Sequence, residues 1–215
     1  MEIIFAMDFV CPFCAVAKEA LDRAIKETGL QVHIRRQPYQ LTAEGTEQVD
    51  TYHDERRRAH FKKLEEPCRE LGLELKIPPF VVPRPYTRLA FEGWHFACEQ
   101  GKGEEYLSAV FDAYFGKEED IGKTEVLAAA ARRAGLEEGA FLAALENGKY
   151  AEKAAEADRY SHEVLKVRSV PTLFIDGRRV EVSSYHTADF AAILKEADCR
   201  SRLCACSGCA PMMEP

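Results

Sequence analysis

No stretch of this 215-residue sequence approaches the roughly 20 consecutive apolar residues that a membrane-spanning helix requires. Positive charge is also in deficit: 29 Lys and Arg stand against 36 Asp and Glu, a formal net charge of −7. That balance argues against the concentrated basic surface that nucleic-acid phosphates demand. Neither nucleic acid nor membrane is therefore expected as a partner. The one dense basic run, Arg56-Arg57-Arg58 followed by Lys62-Lys63, is interleaved with Glu55, Glu65 and Glu66 and reads as a solvated helix face. No internal repeat of fixed period is present, which excludes a helical solenoid. With 47% hydrophobic and 30% charged residues, the composition is that of a globular chain, not a disordered one. Residues 2–10 are apolar but have no basic leader, contain Asp8 and lack a small-residue cleavage site, so they read as a strand, not a signal peptide. The expected compartment is the cytoplasm, where closely spaced cysteines are more often catalytic or metal-binding than structural. Eight cysteines are present.

Hydrophobic patterning gives the organisation. Ile3–Val10 is a continuous apolar run, as in a strand buried on both faces. Pro12–Thr28 carries Val16, Ala20, Leu21, Ala24 and Ile25 at helical spacing and stops at Gly29. Leu30–Arg36 alternates as a second strand. From about Thr42 to Lys166 the pattern is almost wholly helical: a charged helix over 46–71 kinked or restarted at Pro67, a Pro-rich ordered loop over 77–85, then helices near 87–100, 104–115, 124–134, 137–146 and 150–165, with Thr124 and Gly135 as caps. Strand signals return at Val170–Ile175, followed by the hairpin dipeptide Asp176-Gly177, a strand over Arg178–Val182 and a closing helix over Thr187–Ala197. The fold class expected is α/β, a βαβ…ββα sheet with a large inserted all-helical domain. Its parts are residues 1–41 with 167–198, the insertion 42–166, and a cysteine-rich tail 199–215.

Cys11-Pro12-Phe13-Cys14 ends the first strand and opens the first helix. The partial positive charge and free amides of a helix start favour an anion, so Cys11 is expected to be partly thiolate near neutral pH. Pro12 suits the first turn, where its missing amide would have had no partner. Cys14 lies one turn deeper on the same side. Cys11 is read as the attacking thiol and Cys14 as the resolving one. A CxxC also serves as half of a zinc site, but its strand-to-helix setting favours exchange. Asp8, the one charge in the central strand, is either a buried carboxylate that relays the Cys14 proton or an acceptor for loop amides.

With Asp8-Phe-Val-Cys11-Pro-Phe-Cys14, the long helical insertion and Ser169-Val-Pro171-Thr-Leu-Phe-Ile-Asp-Gly177, the sequence resembles the thioredoxin-fold superfamily, and within it the FrnE-like branch of the DsbA family. The resemblance covers about residues 2–196. It implies a thiol–disulfide oxidoreductase or isomerase that needs no cofactor beyond its redox-active disulfide. It also implies a cis Val170–Pro171 bond facing the cysteines, with Pro12, Phe13, Val170 and Pro171 framing a disulfide-bearing protein or peptide, and glutathione as a further partner. Glutathione-dependent 2-hydroxychromene-2-carboxylate isomerases and kappa-class glutathione transferases are similar in fold but typically carry serine at the position of Cys11. That reading stays as the alternative enzyme class. Where DsbA proper has histidine this chain has Phe13, which removes one source of thiolate stabilisation.

The other cysteines divide in two. Cys68 and Cys98 lie in helical patterns and read as small core hydrophobes; His95 reads as core or a partly buried donor. Cys199, Cys204, Cys206 and Cys209 crowd the tail, and three readings stand: a second redox pair, a soft-metal site for zinc or Cu(I), or a loose tail. A thiol-rich metal-binding protein is the non-enzyme alternative.

Overall fold

A computed structural model describes residues 1–206, with side chains as far as Arg202. Four strands form one mixed sheet in the order β2-β1-β3-β4: β1 (Glu2–Met7), β2 (His33–Pro38), β3 (Thr172–Ile175) and β4 (Arg178–Val180). β1 runs parallel to β2 and antiparallel to β3, and β3 antiparallel to β4. The alternation of side chains along β1 explains its unbroken apolar run. Ile3, Phe5 and Met7 enter the main core, while Ala6, with the partly buried Ile4, joins Tyr39, Val167 and Phe174 in a smaller cluster. A strand covered on both faces has no polar side to show.

α1 (Pro12–Thr28) links β1 to β2 and ends at Gly29, whose φ of 66° is left-handed and whose N–H bonds to Ile25 O; only glycine adopts that turn without strain. The β3–β4 hairpin turns through Asp176 and Gly177 at φ 48° and 78°, as a two-residue primed turn requires. α9 packs along α1. Between β2 and β3 lie α2 (Glu55–Phe61), α3 (Glu65–Leu71), α4 (Arg88–Glu99), α5 (Gly103–Phe111), α6 (Thr124–Arg133), α7 (Glu138–Glu146) and α8 (Ala151–Glu163). α8 lies against β2, where Gln37 Nε2 donates to Ala157 O at 2.7 Å and the Gln40 N–H to Asp158 Oδ1 at 2.7 Å.

Four expectations are corrected. The helix over 46–71 begins only at Glu55, because Asp54 caps it by accepting the Arg57 N–H; a 3₁₀ turn over Lys62–Leu64 then leads into α3. Pro67 sits in the first turn of α3, where a missing donor breaks no helical hydrogen bond. Thr124 is the first residue inside α6, not its cap, which is Lys123. α9 does not stop at Ala197 but spans Thr187–Cys206: no Gly or Pro interrupts it before Gly208, and Arg200–Glu196 and Arg202–Asp198 pairs brace it one turn apart. Cys199, Cys204 and Cys206 therefore lie on a helix, and Cys209 lies outside the described residues. Finally, Cys98 is exposed and so is not a core residue, whereas Cys68 is half-buried and packs against the main core. His95 is buried as expected, at 7% exposure.

Candidate active site

The site grows from the junction of β1 and α1. Beyond Met7 the chain turns through Phe9 and Val10, held by Cys11 N–H donating to Asp8 O at 3.2 Å. Phe9 is fully buried and fixes this turn, stacking against Phe91 of α4 at 4.9 Å and Phe111 of α5 at 5.7 Å. Cys11 is the N-cap of α1 and Pro12 its first residue. The Cys11 carbonyl accepts the amides of Cys14 and Ala15 at 3.0 and 3.2 Å, so the two cysteines flank one helical turn. Both are free thiols, 3% and 0% exposed. Burial holds the Cys14 thiol well above its ordinary pKa, and the neighbouring Cys11 and the Asp8 charge reinforce it.

The sheet brings the second component. Ala6 pairs with Thr172 across β1 and β3, and continuing that antiparallel register by one residue sets Pro171 beside Met7. The Val170–Pro171 peptide is cis, and Cys11 Sγ lies 3.4 Å from Val170 O in donor geometry. Residues separated by 159 positions thus meet because the central strand is shared.

Asp8 is fully buried beneath them. Desolvation raises its carboxyl pKa to about 6, against the opposing pull of the Leu41 amide, the Thr87 hydroxyl and the Arg84 charge. The Leu41 N–H donates to Asp8 Oδ2 at 2.7 Å. Both readings of Asp8 thus have support: it accepts a loop amide and its pKa is raised.

A cavity of about 330 Å3 opens beside Cys11. Its floor is Val10, Cys11, Pro12 and Phe13, with Val170 at one edge; the inserted helices and loops roof it with Arg56, Arg57, His60 and Phe61 from α2, Pro78 and Pro79, Arg84, and Tyr114 and Phe115. The last two lie in a single π-helical turn, Asp112–Gly116, at the end of α5, a distortion frequent at functional sites. Phe13 anchors the roof, packing on His60 at 4.9 Å, Phe61 at 5.9 Å and Tyr185 at 5.1 Å. The Pro-rich segment is ordered by its own backbone: Lys76 N–H donates to Phe115 O at 2.8 Å and Arg84 N–H to Val49 O at 2.9 Å.

Arg56, Arg57, His60 and Arg84 escaped the reading of the sequence. α2 is indeed solvated, with no buried residue, yet one side of it faces the cysteines. The single available signal was Phe13: an aromatic in the motif needs a partner on another element. Among the described residues no group of three or more His, Cys, Asp or Glu side chains is placed to hold a metal. The zinc or Cu(I) reading of Cys199, Cys204, Cys206 and Cys209 gains no support there, although only Cys199 of the four has its side chain among the described residues.

Comparison with known proteins converges on this arrangement. The chain is similar to the uncharacterized protein YwbO of Bacillus subtilis strain 168, 38% identical over 169 residues, 78% of this chain and 83% of that one. Its fold is similar to that of a probable DsbA oxidoreductase from Streptomyces coelicolor, with a TM-score of 0.75, 22% identity, and 100% and 94% of the two chains covered. It is also similar to a 2-hydroxychromene-2-carboxylate isomerase, at 0.73, 20%, and 98% and 100%. A third is the cytosolic disulfide reductase DsbM from Pseudomonas aeruginosa, solved with GSH, at 0.68, 18%, and 93% and 100%. The model of the DSBA-like thioredoxin domain matches residues 2–192. With its sheet, helical insertion and paired thiols, the chain belongs to the DSBA-like thioredoxin domain family and is a thiol–disulfide oxidoreductase of that kind.

Proposed function

We propose that Cys11 and Cys14 exchange with the disulfides of protein or peptide substrates in the cytosol, in the manner of the FrnE-like branch. The observation that carries this reading is the contact of Cys11 Sγ with Val170 O at the floor of the cavity, with Cys14 buried behind it. The Cys11 thiolate attacks one sulfur of the substrate disulfide, forming a mixed disulfide and releasing the other sulfur as a thiolate. Cys14 then loses its proton and attacks Cys11 Sγ, closing the Cys11–Cys14 disulfide and freeing the second substrate thiol. Two electrons pass from the dithiol to the substrate, and two thiols of the cellular pool, glutathione among them, return the enzyme to the dithiol.

Cys14 cannot ionise readily where it is, because burial and both neighbours oppose its charge. Asp8, with its pKa near 6, is ionised at neutral pH and takes that proton as the thiol attacks. Val170 and Pro171 frame the substrate: proline offers no backbone donor, leaving the Val170 backbone to pair with an extended peptide. Pro12 and Phe13 form the floor against which it rests. DsbM is described as a cytosolic disulfide reductase and was solved with GSH; the same setting and thiol partner are part of this proposal. The intact dithiol favours exchange over glutathione-dependent isomerisation.

The test is catalysed reduction of insulin disulfides with purified protein. Cys11→Ser is expected to lower it to the uncatalysed rate; full activity in that variant overturns the proposal.

A further inference from the structure

The cavity beside Cys11 is basic in a chain that is acidic. Arg56, Arg57, His60 and Arg84 line it, and among the described residues no aspartate or glutamate does, although acidic residues outnumber basic ones 36 to 29. Arg84 is the anomaly. It is 6% exposed; its Nη2 donates to the Thr42 hydroxyl, and its Nε has no hydrogen-bond partner. Arg36 provides the contrast. At 5% exposure it is as deeply buried and also leaves one nitrogen, Nη1, without a partner, but Glu104 grips it through two bonds of 2.9 Å and Asp22 lies at 3.3 Å, whereas no carboxylate bonds to Arg84 among the described residues. A guanidinium stripped of water is ordinarily met by such a carboxylate, because losing its hydration uncompensated is costly. Asp8 acts on Arg84 through space and bonds instead to Leu41. Arg57 is partly engaged by Asp54 at 3.0 Å, whereas Arg56 forms no ion pair among the described residues.

We propose that Arg84 receives a carboxylate of the substrate, with Arg56 at the cavity mouth, so that the preferred substrates are disulfides with an acidic group close to the reacting sulfur. This rests on the exchange reading above and names its substrate class. Cys11 and Arg84 line one cavity of about 330 Å3, the scale of a small ligand or a few residues of peptide. Its walls are largely apolar, Phe61, Pro78 and Phe115 among them, and beside such surface a charge-assisted bond is stronger than in bulk water. The guanidinium fork also gives direction: a carboxylate held at Arg84 orients the disulfide it belongs to, which lysine would do less well.

The preference is read as the ratio of single-turnover rates at which pre-reduced enzyme opens two peptide disulfides, one with glutamate flanking the cysteine and one with glutamine. The expected ratio in wild type is about tenfold or more at low salt. Arg84→Gln is expected to bring it near one, and Arg84→Lys to cut it at least about threefold; Arg56→Gln is expected to reduce both the ratio and its salt dependence. If Arg84→Gln does not fold, Arg84→Lys and Arg56→Gln decide. A wild-type ratio near one with measurable rates, or a ratio unchanged in these variants, overturns the proposal. Failure of wild type to open either peptide overturns the exchange reading instead. Oxidised glutathione in the same assay distinguishes the source of the carboxylate. A rate above that of the glutamate peptide assigns it to a small disulfide and a rate below to a polypeptide; in both cases Arg84→Lys must be slower, and equal rates overturn the assignment.

Discussion

Cys11 and Cys14, at the start of α1, are 3% and 0% exposed, framed by a cis-proline loop, a buried carboxylate and a cavity. Cys98 and Cys199 are exposed. Cys98 has its sulfur tucked against the start of α5, where a Cβ at Gly103 would lie 2.7 Å from it, and burial of that sulfur raises its pKa to about 11. Exposure alone would rank these thiols the other way. What separates them is what surrounds the sulfur: a helix start, a second thiol one turn on, a buried carboxylate, and the Val170 carbonyl at 3.4 Å. A cysteine becomes a redox centre through its neighbours.

The largest effect expected from breaking that contrast comes from the resolving thiol. Cys14→Ala should lower turnover at least about a hundredfold while leaving Cys11 able to attack, so that enzyme and substrate accumulate as a mixed disulfide. Non-reducing electrophoresis and intact mass read it directly, and an adduct mapped to Cys98 or Cys199 instead would dissolve the distinction between the two classes.

Asp8→Asn is next. Its carboxyl pKa is raised from 3.8 to about 6 in the folded chain, so between these values the folded state binds more protons than the unfolded one. Stability therefore falls as pH rises through about 4 to 6, by up to about 3 kcal/mol, and that deficit persists at neutral pH. The asparagine variant keeps an acceptor for the Leu41 amide and escapes the deficit. Its unfolding midpoint should exceed that of wild type at pH 7, with the gap closing below pH 4. Its exchange rate should fall and lose the inflection near pH 6. A variant that is both less stable and unchanged in pH profile would remove Asp8 from the chemistry.

The smallest effects belong to the helix cysteines. Cys98→Ser and Cys199→Ser are each expected to shift stability by no more than about 1 kcal/mol and to leave insulin reduction within about twofold of wild type. A tenfold loss in Cys199→Ser would restore a relay role for the last helix.

Much of the frame was legible because its signals are local. The apolar run of β1, the helix from Pro12 to a glycine stop, and the Asp176-Gly177 turn each rest on residues adjacent in sequence, and α1 emerged with the bounds its caps dictate. The helix over 46–71 starts later than its pattern suggests for the same reason: a charged segment shows periodicity only weakly, and Asp54, its cap, is one acidic residue among many. α9 runs past the point where small residues and cysteines suggest a turn, because i,i+4 pairs carry the helix onward.

By itself the sequence determined the redox pair, the strand-to-helix junction that holds it, and the βαβ…ββα frame with helices inserted, because spacing along one helix or strand fixes which side chains share a face. Only the tertiary structure decided the chemistry of the space above the thiols. Arg56, His60 and Arg84 lie 45 to 73 residues from Cys11, on a short solvated helix and an irregular loop, and no periodicity in a sequence encodes where such segments cross a sheet. Their placement follows from Phe9 and Phe13 packing against the insertion, and burial, a property of the folded chain alone, leaves Arg84 without a bonded carboxylate among the described residues and raises the Asp8 pKa to about 6.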